Sequence, residues 1–105
     1  MYKIAVVGSR DTVMGFRALG LSTFAAEDAE DARRTVRRLA RPEEEVAVIY
    51  LEESFADALS QEIERYRGQL QPAIILIPGR SGSTGRALRE LHAAVERAVG
   101  SDILK

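Results

Sequence analysis

The segment PGRSGSTGRALRELHAAVERAVG, Pro78 to Gly100, places three glycines, two serines and a threonine ahead of an amphipathic stretch. Glycine followed by a helix is the local chemistry of a phosphate cradle, in which bare backbone N–H groups and a helix N-terminus face an anion. A nucleotide loop of this kind also needs a lysine, in G-x-x-x-x-G-K-[ST]. The stretch from Gly79 to Gly85 has only Arg80 and Arg86 nearby. The loop GSRDTVMG, Gly8 to Gly15, lacks both the lysine and the G-x-G-x-x-G spacing. These residues suit a phosphate or sulfate ion better than a nucleotide. The other reading of the glycines is a hinge.

The remaining reactive side chains do not assemble into a catalyst. Glu52 and Glu53 are adjacent at the end of an apolar run, and neighbours in a strand point to opposite faces. They are expected to be a solvated strand end and helix cap rather than an acid/base or metal pair. His92 is the sole histidine and there is no cysteine, so neither a triad nor a zinc site is available. A phosphorylated receiver domain needs an acidic pair after its first strand, an acceptor Asp after the third and a Lys after the last. Here Gly8, Ser9, Arg10 and Asp11 follow the first strand, Glu52 and Glu53 end the third, and no lysine follows IILIP. Arg33, Arg34, Arg37, Arg38 and Arg41 form a basic cluster without interleaved aromatics, read as a solvated helix end with Glu30 and Asp31 pairing to Arg34. No catalytic residue, metal ligand or cofactor site is expected.

The elements that would position these groups alternate along the chain. KIAVVG (Lys3 to Gly8) reads as a buried parallel strand. A helix follows from Thr12, capped by Asp11 and ended by Gly20. LSTFA is a second strand. A helix from about Asp28 to Arg41 puts Ala29, Ala32, Val36, Leu39 and Ala40 on one face, with acids in its first turn and arginines in its last. VAVIYLEE is the third strand. SFADALSQEIERYRG is the third helix, with Phe55, Leu59, Ile63 and Tyr66 at helical spacing and Gly68 as its stop. PAIILIPG, continuously apolar, reads as a central fourth strand. This alternation implies a parallel sheet with right-handed crossovers. The expected fold is α/β: a flavodoxin-like (receiver-like) three-layer domain with a four-stranded parallel sheet, plus a C-terminal amphipathic helix on a Gly-rich hinge.

The last helix, Thr84 to Val99, places Ala87, Leu88, Leu91, Ala94, Val95, Ala98 and Val99 on one face. Arg86, Arg89, Glu90, Glu96 and Arg97 fall on the other. Burying Leu88, Leu91, Val95 and Val99 is worth on the order of 6–12 kcal/mol, comparable with the cost of ordering the backbone. The helix either packs on its own sheet or swings to a partner on a linker spanning roughly 15 Å. The division expected is an α/β domain over 1–78, a hinge over 79–85 and a helix with tail over 86–105.

Bulk properties exclude further classes. A chain of 105 residues suits one domain with one core. A net charge of −1 gives no field to attract nucleic acid or acidic lipid. The longest apolar runs fall far short of the roughly 20 residues that span a bilayer. MYKIAVVG has no cleavable signal pattern, and the lack of cysteine fits a reducing compartment, so a cytoplasmic protein is expected.

YKIAVVGSRDTVMGFRALGL resembles the opening of the F subunits of V/A-type rotary ATPases: an apolar strand, Gly, a polar residue, an acid, then G-F-[RK]-x-[AL]-G. Gly8, Asp11, Gly15, Phe16, Arg17, Leu19 and Gly20 match that pattern, and IPGRSGSTG and AVGSDIL match at the other end. The resemblance covers nearly the whole chain. Ser9 departs from it, standing where an acidic residue is expected. The resemblance implies a non-catalytic component of the central rotor stalk, peripheral to the membrane through its complex. Its partners would be the coiled-coil stalk subunit (the D subunit of such complexes) and the nucleotide-binding hexamer. Gly79, Gly82 and Gly85 would form the pivot. Leu88, Leu91, Val95 and Val99 would form the docking stripe, with Arg86, Arg89 and Arg97 meeting acidic partner surfaces. Phe16 and Arg17 on the first helix are candidates for the stalk contact, Phe16 being better read as core. The alternative is a stand-alone receiver-like domain that binds a small ligand or phosphate at Gly79 to Arg86.

Overall fold

Four short β-branched runs make the sheet. They are β1 (Lys3–Gly8), β2 (Ser22–Ala25), β3 (Val46–Glu52) and β4 (Ala73–Ile77). All pair in parallel, in the order β2-β1-β3-β4. The computed structural model describes residues 2–69, 71–79, 93–95 and 97. The helices between the strands are α1 (Arg10–Arg17), α2 (Ala29–Leu39) and α3 (Ser60–Arg67). This is the expected flavodoxin-like alternation.

The period of two along the strands divides the core into two halves. Ala5 and Val7 of β1 and Ile49 and Leu51 of β3 turn to one face, where Ala32, Val36 and Leu39 of α2 and Leu59 cover them. Val6, Val48 and Tyr50 turn to the other, against Val13 and Phe16 of α1. Phe16 is fully buried, with its ring tilted 52° to Tyr50 at a centroid distance of 5.6 Å. The alternation slips once: Lys3 pairs with Val46 but Ile4 with Val48, leaving Ala47 as an extra residue. That bulge lets Val46 join the α2 side and Val48 the α1 side.

Helix ends follow local chemistry, with two departures from what the sequence predicts. Asp28 caps α2 by accepting the Asp31 N–H at 2.8 Å, as its side chain predicts. Gly20 adopts a left-handed φ of 82°, which stops the turn after α1. The first helix, however, begins at Arg10 rather than Thr12, so Asp11 lies in its first turn instead of capping it. Thr12 then faces inward and is buried. The segment read as one third helix is divided into a 3-10 turn at Glu53–Phe55 and α3.

The largest correction concerns β4. A continuously apolar strand predicts a central position, yet among the described residues β4 is an edge strand, with Leu76 44% exposed. Only Ile77 of its five residues is buried. Residues 93–95 are helical, and Val95 packs against the core cluster on the α1 face. Apolar composition alone does not tell a central strand from an edge one.

Candidate functional site

In open α/β sheets, ligands bind at the carboxyl ends of the strands where the strand order reverses. Here that point lies between β1 and β3, with Gly8 and Ser9 on one side and Glu52 on the other. Glu52 is buried, 5% exposed, and its carboxylate fills the crevice. Ser9 Oγ donates to Glu52 Oε1 at 2.7 Å, and the Ser9 N–H donates to the same oxygen at 3.1 Å. Ser54 Oγ donates to the other oxygen, and the Thr12 hydroxyl joins from α1. Burial pushes the Glu52 carboxyl up, but the donors from Ser54, Thr12 and Ser9 outweigh burial and hold it below its ordinary value of 4.5.

This arrangement corrects the reading of Glu52 and Glu53 as a solvated pair. Glu53 is exposed, whereas Glu52 turns inward under hydroxyl donors. The signal lay in Ser9, Thr12 and Ser54, short hydroxyl residues near both strand ends, but nothing in their spacing shows that they converge. Their convergence also gives Ser9 a local reason. A second carboxylate at that position would sit against Glu52 instead of donating to it. Close packing fixes Gly8 as well: a Cβ there would lie 3.1 Å from Glu52 Cβ and 3.2 Å from its Oε1.

The chemical consequence is that the first loop has its anion already. A phosphate at the start of α1 would need the Ser9 N–H and the neighbouring hydroxyls. Glu52 holds them and adds its own negative charge. Gly79 of the expected hinge sits over the same carboxylate, its would-be Cβ 3.6 Å from Glu52 Cδ, an ordinary contact. Glu52 thus ties the end of β1 and the start of α1 to the end of β3.

The basic cluster is also more structured than a solvated helix end. Arg33 Nε donates to Glu62 Oε1 at 3.2 Å, and Arg37 Nη2 to Glu62 Oε2 at 2.8 Å. Glu62 is 3% exposed, and burial alone would push its carboxyl up, but Arg37 and Arg33 hold it below 4.5. Arg33 reaches the Ala58 carbonyl at 2.6 Å, so this pair clamps α2 to α3. Arg38 lies over the Phe24 ring at 5.3 Å. The expected Asp31–Arg34 pair is present at 3.4 Å.

Glu52 and Glu62 set a pH dependence. Both carboxyls are held below their unfolded value, so the unfolded chain takes up protons first as pH falls. Their stabilisation is complete above about pH 4.5 and is lost as pH falls through the folded-state values. Urea midpoints are expected to hold steady from about pH 7 to 5 and drop below about 4.5. A Glu52→Gln/Glu62→Gln variant should show a much flatter acid limb. An equally steep limb in that variant would place the acid sensitivity elsewhere.

Of the partner-contact residues expected from sequence, Val95 is half-buried on the α1 face and Arg97 is exposed. Arg86, Leu88, Arg89, Leu91 and Val99 lie outside the described residues, as do Arg80, Gly82, Gly85 and His92. No cluster of metal-ligand side chains occurs among the described residues. No helix among them is long and apolar enough to cross a membrane.

Comparison with known proteins gives a consistent picture. The family described as ATP synthase (F/14-kDa) subunit matches residues 4–95. The chain is 42% identical to the F subunit of the V-type ATP synthase of Clostridium perfringens, over 99% of this chain and 98% of that one. It is 40% identical to the V-type F subunit of Fusobacterium nucleatum, over 99% and 97%. With the F subunit of the A-type ATP synthase of Methanosphaera stadtmanae it shares 32%, over 97% and 96%. The crystal structure of the V-type ATP synthase F subunit from Archaeoglobus fulgidus has the same fold. Its TM-score is 0.58 at 23% identity, covering 72% of this chain and 96% of that one. A four-stranded α/β body with its ligand crevice closed by its own carboxylate, matched over nearly its full length, belongs to the F-subunit family of V/A-type rotary ATP synthases, a non-catalytic part of an ion-transporting complex.

Proposed function

We propose that this chain is a central-stalk component of its rotary ATPase, peripheral to the membrane on the cytoplasmic side. Its α/β body, residues 1–78, holds the coiled-coil stalk subunit (the D subunit). Its C-terminal helix, residues 86–105, pivots about Gly79, Gly82 and Gly85 toward the nucleotide-binding hexamer and tunes ATP hydrolysis. The observation that carries this reading is the family match, which runs from β1 through Val95. The closed crevice supports it, since Glu52 leaves the switch point no anion site and argues for a binding role. Val95, packed against the core cluster on the α1 face, supplies a resting place for the helix. When the helix swings out, Leu88, Leu91, Val95 and Val99 become its docking stripe, and Arg86, Arg89 and Arg97 face acidic partner surfaces.

Two experiments test this. Affinity purification of the tagged chain from its native membranes should bring down a coiled-coil stalk subunit with the large nucleotide-binding subunits. Recovery of a lone monomer would overturn the assignment. Val95→Asp, half-buried on the α1 face, is expected to leave the domain folded and to alter ATPase activity of the assembled complex about 2- to 10-fold, as loss of one apolar contact of about 1 kcal/mol allows. Unfolding of the domain in that variant would show the helix to be fixed core and would end the pivot.

A further inference from the structure

We propose that the groove between α1 and the β2 edge is the seat of the stalk, holding one amphipathic helix that carries acids seven residues apart on the side facing α1. This rests on the stalk reading above and assigns its contact surface. The groove has a volume of about 750 Å³ and runs beside β2, the outermost strand among the described residues. One wall is α1, whose inner face spends Val13 and Phe16 on the core. The lining of that wall includes Arg10, Asp11, Met14 and Arg17; Arg10, Met14 and Arg17 are spaced by four and three residues and therefore lie on one helical stripe, with the Asp11 acid beside it. Met14 is 57% exposed, more than any other large apolar side chain described. Arg10 and Arg17 are exposed and make no ion pair among the described residues.

The opposite wall is acidic. Glu27 is exposed, and Asp31 is held in place by the Glu27 N–H at 3.1 Å and Arg34 at 3.4 Å. A flexible methionine between two exposed arginines, facing two acids across a floor of Thr23, Ala25 and Ala26, is interface composition. The charge order selects the occupant. An apolar stripe bordered by acids on one flank and bases on the other is the surface of a helix from a coiled coil. Arg10 and Arg17 stand two turns apart, about 10.5 Å along α1. One heptad of a helix lying alongside covers that same length, so acids at successive equivalent positions meet both arginines. A partner strand fits less well, because β2 offers a ladder of only four residues, Ser22–Ala25.

The full-length chain and the coiled-coil stalk subunit of the same ATPase are titrated by calorimetry. Arg10→Glu/Arg17→Glu is expected to weaken binding about 100-fold, with a smaller loss at high salt. Met14→Asp should weaken it about 30-fold or more. All three positions are exposed, so thermal unfolding should be unchanged. Leu76→Asp on β4, at the far edge of the sheet, serves as the control and should change affinity less than about threefold. Wild-type binding retained by both groove variants, or lost in Leu76→Asp alone, overturns the groove while leaving the stalk reading intact. A wild-type chain that does not bind the stalk subunit overturns the stalk reading itself, and the groove with it.

Discussion

Glu52→Ala is expected to lower the unfolding free energy by about 3 kcal/mol, a large share of the roughly 5–15 kcal/mol typical of a domain. The carboxylate accepts from Ser9, Thr12 and Ser54 at a position nearly closed to water. Truncation strands those donors and opens a void beside Gly8, which approaches the Glu52 side chain closely. Glu52→Gln separates charge from shape. It retains one acceptor oxygen but points an N–H donor at groups that also donate, so about half the loss is expected. Chemical denaturation of the three proteins at pH 7 measures both losses. Agreement of Glu52→Ala with wild type to within about 0.5 kcal/mol would show that the hydroxyls find other acceptors and that Glu52 does not tie the strand ends together. Amide exchange at Ser9 offers an independent readout, expected to accelerate in both variants.

Phe16→Ala has the second large effect, about 3–5 kcal/mol. The ring is fully buried between α1 and the sheet and meets Tyr50 at 5.6 Å. Its loss removes the anchor of a helix of only eight residues, too short to persist without packing. Leu19→Ala, on a side chain that is 38% exposed just beyond α1, should cost under about 1 kcal/mol. Circular dichroism and urea midpoints would show the contrast. A Phe16→Ala protein as stable as Leu19→Ala would mean that α1 is held by other contacts. The result also bears on function. Loss of stalk binding in Phe16→Ala reflects an unanchored α1, whereas loss in Arg10→Glu/Arg17→Glu, with stability kept, reports the groove itself.

Much of this molecule could be read from periodicity. The alternating faces of KIAVVG and VAVIYL, the Asp28 cap, the stop at Gly20 and the buried Phe16 are local consequences of side-chain shape and backbone preference. So is the order of elements that makes the sheet parallel. The family pattern at Gly15, Phe16, Arg17, Leu19 and Gly20 was likewise visible in the residues alone. What periodicity does not encode is which groups from distant segments meet. Ser9 and Glu52 are 43 residues apart, and Arg33 and Glu62 are 29 apart. Local rules therefore read Glu52 and the arginine cluster as solvated, although each finds its partners only when the strands and helices stack. The same limit misplaced β4: five apolar residues suggest a central strand, but strand order, which puts β4 at the edge among the described residues, is set by pairing between distant segments. Composition and spacing determined the order of the elements and most of their inward faces. The tertiary structure alone decided that one buried carboxylate fills the crevice and that Met14 of α1 stays exposed, because both depend on contacts between segments far apart in the chain.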